Sequence, residues 1–420
     1  MKILIISYYY PPCNSIASLR PVSWAKEWTS MGHEVTVVTR NWEETDNKWP
    51  RFIASSKEKI IKVSLDNGFK VLSLPYESYS YLKSKLLRKI NSVLKLLNGD
   101  FNYEIELKEF YKGIRDEIKV ETPDLIVVTS PPLGLVKLGY RIAKEFDLKY
   151  IVDFRDYENH FVLNQQPKLS IPDRINLHIK KWYLKKWLKS ASLVSVASKE
   201  FATYFSKNGI TTKALEFTNG FEPDLFNSIQ YEQSDKFTIS IIGSILNNQE
   251  VNIFLDGFNK FITKCDSANV QINFIGGKNI PEMAEKWENR IPSTLLHLTE
   301  RIDRKKALEI GKNSTLLFYP GWKNYKGMYS GKIFDYLALK RPILIAPSDN
   351  DVIERLILDT KSGEIANTAE EVSRYLLTLY SEWKSNGSVA YHGNSEKIKE
   401  YSRSTIANKM AIKIKEAINL

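Results

Sequence analysis

The chain has 420 residues, 43% hydrophobic and 26% charged, and its 60 Lys and Arg against 49 Asp and Glu give a formal charge of +11. Such ordinary usage excludes wholesale disorder, collagen-like repeats and low-complexity architecture. At roughly 150 residues per domain the length points to two or three domains, and the basic excess invites an anionic partner: nucleic acid, a membrane surface or a phosphorylated substrate.

Met1–Ser7 is apolar but runs into Tyr8-Tyr9-Tyr10-Pro11-Pro12 without a small-residue cleavage site, so it reads as a first strand rather than a signal peptide. Further β-branched runs follow at 34–40, 70–75, 124–130, 150–155 and 193–198, then at 237–243, 270–277, 295–299, 314–320 and 342–347. Apolar strands alternating with amphipathic helices predict parallel sheets covered on both faces. Eleven runs fit two sheets of about six strands better than one, and turn chemistry at Asn208-Gly209, Asn219-Gly220 and 231–235 places the break within 208–236. The expectation is α/β: two Rossmann-like doubly wound domains facing across a cleft, with ligands outside the carboxyl ends of the strands. No run approaches the ~18 apolar residues of a spanning helix, so the chain is expected to be soluble or to lie on a membrane. Cys13 and Cys265 are too far apart for a metal motif and too few for a disulfide framework, which favours a reducing compartment.

The strand ends carry the candidate chemistry. After the first strand, Ser15-Ile16-Ala17 feeds a helix and either receives an anion or sugar on backbone N–H groups or is an ordinary turn. No G-x-G-x-x-G occurs, so a nicotinamide or flavin fingerprint is missing. After the fifth strand, Asp153-Phe154-Arg155-Asp156 reads either as a structural Arg–Asp clamp or as a site where Asp156 or Asp153 orients a hydroxyl while Arg155 holds the carboxylates. After the run ending at Tyr319, Ser330 and Gly331 start a helix on which the N–H groups of 330–332, the helix dipole and Lys332 converge on a diphosphate, with Asp335 one turn in for sugar or ribose hydroxyls. The bland alternative is a capped helix with a surface lysine. Asp349-Asn350-Asp351 reads as a turn capping the next helix in preference to a divalent-ion site. The five histidines show no ligand spacing.

Residues 81–90 and 179–189 read as helices with Lys and Arg on one side and bulky apolar groups on the other, suited to an anionic leaflet. Trp182 and Trp187 are alternatively core. Nucleic acid is disfavoured because no recognised binding module accompanies the charge. The tail from Asn394 reads as helical, with Lys397, Lys399, Lys409, Lys413 and Lys415 in solvent.

Taken in order, Lys2–Ser7 with Pro11-Pro12 and Gly32–Thr39, then Asp153–Asp156, Asn219–Phe226, and Ser330–Ala338 with Arg341–Leu344 resemble glycosyltransferase family 4, a retaining group with the GT-B fold, and in particular its polysaccharide-assembly members. The resemblance implies an acceptor-binding domain over 1–212, a nucleotide-sugar-binding domain over 213–395 and a helix at 396–420 crossing back to the first. It implies a hexosyltransferase that moves a sugar from a nucleotide diphosphate sugar to a lipid-linked or growing surface glycan, needs neither metal nor cofactor, and works in the bacterial cytoplasm at the inner face of the cell membrane. Asp153, Arg155, Asp156 and Lys332 are the implied catalytic residues. Ser15, Ala17, Asn219, Gly243, Ser244, Ser330, Gly331, Lys332 and Asp335 are the implied donor-binding residues. The family's Glu-x7-Glu pair is here Gly327 and Asp335, its first-loop Gly-Gly is Ser15-Ile16-Ala17, and Ile245–Glu250 lacks the usual Arg and Lys. Phosphate charge would therefore rest on Lys332, with Arg155, Arg20 or Arg301 as helpers. A non-catalytic sugar-nucleotide-binding paralogue and a hydrolysing sugar-nucleotide epimerase are the competing readings on the same fold.

Overall fold

A computed structural model describes residues 1–13, 15–42, 61–75, 85–101, 107–156, 170–245, 249–322 and 325–418. The chain divides into two compact units, 1–218 with 404–420, and 219–403. The first boundary thus falls after 218 rather than 212, and residues 396–403 stay with the second unit.

The first unit runs β1 (Lys2–Ile6), α1 (Leu19–Ser30), β2 (Glu34–Arg40), β3 (Lys62–Asp66), β4 (Phe69–Leu74), α2 (Lys85–Leu97), α3 (Lys108–Val120), β5 (Leu125–Ser130), α4 (Gly134–Phe146), β6 (Lys149–Phe154), α5 (Ile171–Leu188), β7 (Leu193–Val196), α6 (Lys199–Lys207) and β8 (Ala214–Glu216). Its eight strands lie in the order β3-β4-β2-β1-β5-β6-β7-β8, parallel except for β3 against β4. The order reverses between β1 and β5, which pair directly from Ile3 with Leu125 to Ile6 with Val128.

The second unit runs α7 (Pro223–Asn227), β9 (Phe237–Ile242), α8 (Asn252–Ile262), β10 (Val270–Ile275), α9 (Pro281–Glu288), β11 (Leu296–Leu298), α10 (Arg304–Lys312), β12 (Leu316–Tyr319), α11 (Gly331–Leu339), β13 (Ile343–Ile345), α12 (Val352–Thr360), β14 (Gly363–Ile365), α13 (Ala369–Asn386) and α14 (Ser395–Lys399). Its six-stranded order β11-β10-β9-β12-β13-β14 puts the switch point between β9 and β12.

All eleven apolar runs are strands. The three strands not foreseen, β3, β8 and β14, are sheet edges. Edge strands are short or half-exposed and show no continuous apolar run. The β3–β4 hairpin turns through Asn67-Gly68, with φ of +48° and +86°, the tight-turn signal that Asn-Gly carries.

The last helix, α15 (Arg403–Ile418), packs on the first unit. Ile406, Met410, Ile414 and Ile418 join the cluster of Ile3, Ile5, Trp24 and Trp28, and the Trp28 indole N–H donates to the Ala407 carbonyl at 3.1 Å. Lys409, Lys413 and Lys415 lie on its exposed face. On α5 the two tryptophans divide: Trp187 is buried against Phe101, whereas Trp182 is 57% exposed. Five residues at 100° per residue turn them to different faces.

Candidate donor and acceptor sites

At the second unit's switch point, Gly243 ends β9 with φ of +84°, and a Cβ there would stand 3.0 Å from Lys332 Cε. Only glycine gives the lysine stem this passage across the strand end. The Lys332 ammonium donates to the Ser244 carbonyl. Burial and the nearby charge of Arg301 pull its amine down to about 8. Lys332, on the first turn of α11, thus feels a second positive charge from Arg301. Ser330 precedes that helix in extended conformation but gives it no side-chain cap, because its hydroxyl is engaged with the Tyr319 hydroxyl at 3.0 Å. The first-turn N–H groups at Gly331 and Lys332 therefore keep their donor capacity at the positive end of the helix dipole. Gly243, Ser244, Ser330, Gly331 and Lys332 come together here; Ser330–Lys332 adjoin in sequence, whereas Gly243 and Ser244 were implied only by the family resemblance.

Asp335, one turn in, pairs with Arg304 at 2.8 Å, a partner that sequence spacing did not suggest. Burial raises its carboxyl above the usual range, with Arg304 and Arg403 opposing. Tyr336, on the same helix, accepts the Ile242 N–H at 2.8 Å and fixes α11 to the end of β9. Gly327 holds no side chain over the site, and its N–H donates to the Asp351 carboxylate. Lys326 donates to the carbonyls of Asp349 and Asn350 at 2.9 and 3.1 Å. The Asp349 carboxylate accepts from the N–H groups of Asp351, Ile353 and Glu354 at 3.1, 3.0 and 3.0 Å, capping α12. The Asp-x-Asp is therefore built into its turn. Asn219, half-buried, is the first residue of the second unit, and Phe221 beside it exchanges backbone hydrogen bonds with Tyr401 and Arg403.

In the first unit the structure corrects the reading of Asp153 and Arg155. Asp153 is fully buried and cannot meet an acceptor. Its carboxylate is held by Arg20 through Nε at 3.1 Å and Nη2 at 2.7 Å, and by the Ser195 hydroxyl at 2.5 Å. The clamp exists, but Arg20 forms it. Period two on β6 puts Asp153 on the face of Ile151, under α1 where Arg20 resides, and no local spacing reveals a partner 133 positions away. Arg20 also donates to the carbonyls of Phe217 and Thr218 at 2.9 and 2.7 Å. Asp156 is half-buried just beyond β6, and residues 157–160 lie outside the described ones. Ser15 accepts the Ala17 N–H at 3.3 Å and Ala17 is buried, so this turn satisfies its own donor.

The sequence matches no protein-family model, and no curated protein matches it. Solved structures do. A glycosyltransferase from Rickettsia africae superposes with a TM-score of 0.63 at 14% identity, over 99% of this chain and 98% of that one. Anabaena Alr3699/HepE in complex with UDP gives 0.61 at 11% identity, over 99% and 100%. A putative UDP-N-acetylglucosamine 2-epimerase from Listeria monocytogenes gives 0.54 at 13% identity, over 100% and 96%. The fold is GT-B. Because an epimerase and transferases share it, chemistry must be argued from the residues.

Proposed function

We propose that this GT-B chain transfers a sugar, with retention, from a nucleotide diphosphate sugar to a hydroxyl of a lipid-linked or growing surface glycan. The observation that carries this reading is the meeting of Lys332, Arg301 and the uncapped start of α11 at the switch point between β9 and β12. A likeness to a protein crystallised with UDP supports a diphosphate there. The bond from the anomeric carbon to the β-phosphate oxygen breaks, and the charge that develops is met by the N–H groups of Gly331 and Lys332 and by the ammonium. The acceptor oxygen bonds to the same face of that carbon, and its proton passes to the departing phosphate oxygen; Asp156 is the group assigned to the acceptor hydroxyl. Cationic side chains and helix N–H groups supply the stabilisation that a divalent ion gives elsewhere.

The same reading puts the chain at the inner face of a cytoplasmic membrane. On α2, Ile90, Val93, Leu94 and Leu97 are exposed, and on α5 Ile171, Ile175 and Trp182 are exposed beside Lys185, Lys186 and Lys189. Apolar groups flanked by cations suit an anionic bilayer; residues 81–84 lie outside the described ones. Co-sedimentation with anionic vesicles that weakens as salt rises checks this part. Gly327 in place of an acidic side chain favours a second reading, a non-catalytic sugar-nucleotide binder. Incubation with nucleotide diphosphate sugars and lipid-linked acceptors decides: transfer that is lost in Asp156→Ala supports the proposal. Donor bound but never turned over favours the binder, and an altered sugar without acceptor identifies an epimerase.

A further inference from the structure

With Asp153 held by Arg20, Arg155 is left without the task its sequence position suggests. It stands at the end of β6, in reach of the ends of β5 and β1 around the first sheet's switch point. Its backbone N–H donates to the Ser130 carbonyl at 3.1 Å, and Nη2 donates to the Pro131 carbonyl at 3.2 Å. The guanidinium lies 4.8 Å over the Tyr9 ring. Tyr9 stacks on Trp42 at 5.8 Å and meets Tyr8 edge-on at 4.9 Å. This aromatic layer is fixed from below. The Ser7 hydroxyl donates to the Tyr9 carbonyl at 2.7 Å, and Trp42 and Thr39 donate to the Tyr8 carbonyl at 3.0 and 3.3 Å. Arg40 adds a second positive charge to the layer, 4.1 Å over Trp42.

Arg155 is thus half-buried and held at a set position by neutral groups, and among the described residues none forms an ion pair with it. Asp156 acts on its charge only through space. A guanidinium has five N–H donors in a rigid fork. One is engaged at a carbonyl here, and an aromatic face keeps the plane in register. The groups that such a fork recognises are planar or multi-oxygen anions, carboxylate or phosphate.

We propose that Arg155, backed by Tyr9 and Trp42, binds an anionic group of the acceptor, so that the first unit selects charged glycans. The inference rests on the sugar-transfer reading and specifies its acceptor. A phosphate ester and a uronate carboxylate share the required chemistry. The test titrates the full chain calorimetrically, in saturating UDP, with methyl glucuronide, glucose 6-phosphate and neutral methyl glucoside. The wild type binds at least one anionic probe about tenfold or more tighter than the glucoside, and the preferred probe identifies the anion. Arg155→Gln loses that margin while keeping UDP affinity, and Arg155→Lys, which keeps the charge without the fork, falls between. Equal affinity for charged and neutral probes, an unchanged margin in Arg155→Gln, or displacement of the anionic probe by UDP overturns the proposal. Should Arg155→Gln not fold, Arg155→Lys and the wild-type competition with UDP decide. Absence of UDP binding counts against the sugar-transfer reading instead, and the anionic probes are then titrated without UDP into Lys332→Met.

Discussion

Replacing Lys332 by Met should move fold stability and donor binding in opposite directions. Burial and the charge of Arg301 bring this amine from 10.5 to about 8. At 1.36 kcal/mol per tenfold, that change sets the protonated form at a disadvantage of roughly 3 kcal/mol at neutral pH, an upper value because the side chain keeps some solvent contact. Met fills a similar volume without the charge, so the ligand-free variant should melt at the same temperature as wild type or higher. A charge-assisted hydrogen bond to a diphosphate is worth about 1.5–3 kcal/mol, so the variant should bind UDP roughly 10- to 150-fold more weakly. The assay is a thermal-shift titration with UDP, checked by calorimetry. Wild type at about 100 times its Kd gains ~2.7 kcal/mol, and the variant at the same concentration gains little. Unchanged UDP affinity in Lys332→Met would refute the assignment of the donor site. A lower melting temperature of the ligand-free variant would refute the claim that this cation is held at a cost.

The native amine titrates below its unfolded value, so the native state binds fewer protons between pH 8 and 10.5; its contribution to stability rises with pH through that window while UDP affinity falls above pH 8, and calorimetry at pH 7, 8 and 9 should show the loss in wild type and none in Lys332→Met. Asp153→Asn leaves Arg20 buried without its counter-ion and should lower the unfolding free energy by about 3–5 kcal/mol in urea. Asp349→Ala removes the acceptor for three N–H groups at the start of α12, costing about 1–2 kcal/mol, and transfer by the wild type should be unchanged by EDTA. Truncation after Arg403 strips Ile406, Met410, Ile414 and Ile418 from the first unit's core; at about 1.5–3 kcal/mol each this approaches a domain's whole stability, so circular dichroism should show that unit unfolded.

The strands, their parallel arrangement and the grouping of small residues with a lysine at the start of α11 were legible in the sequence because each depends on local pattern. A buried parallel strand must be apolar along its whole length, as Leu125–Val128 are, and a helix start suited to an anion needs small residues and a cation close in sequence, the pattern that Ser330–Lys332 carry. Partners that meet through the fold left no such trace. The tertiary structure decided that Arg20 and not Arg155 clamps Asp153, that Arg304 takes Asp335, and that Tyr9 and Trp42 form a layer under Arg155. Those contacts join strand ends and helices separated by tens to more than a hundred residues. Which charges pair is set by the order of the strands and the face each side chain takes, and a charge left over by that pairing is what remains for a ligand.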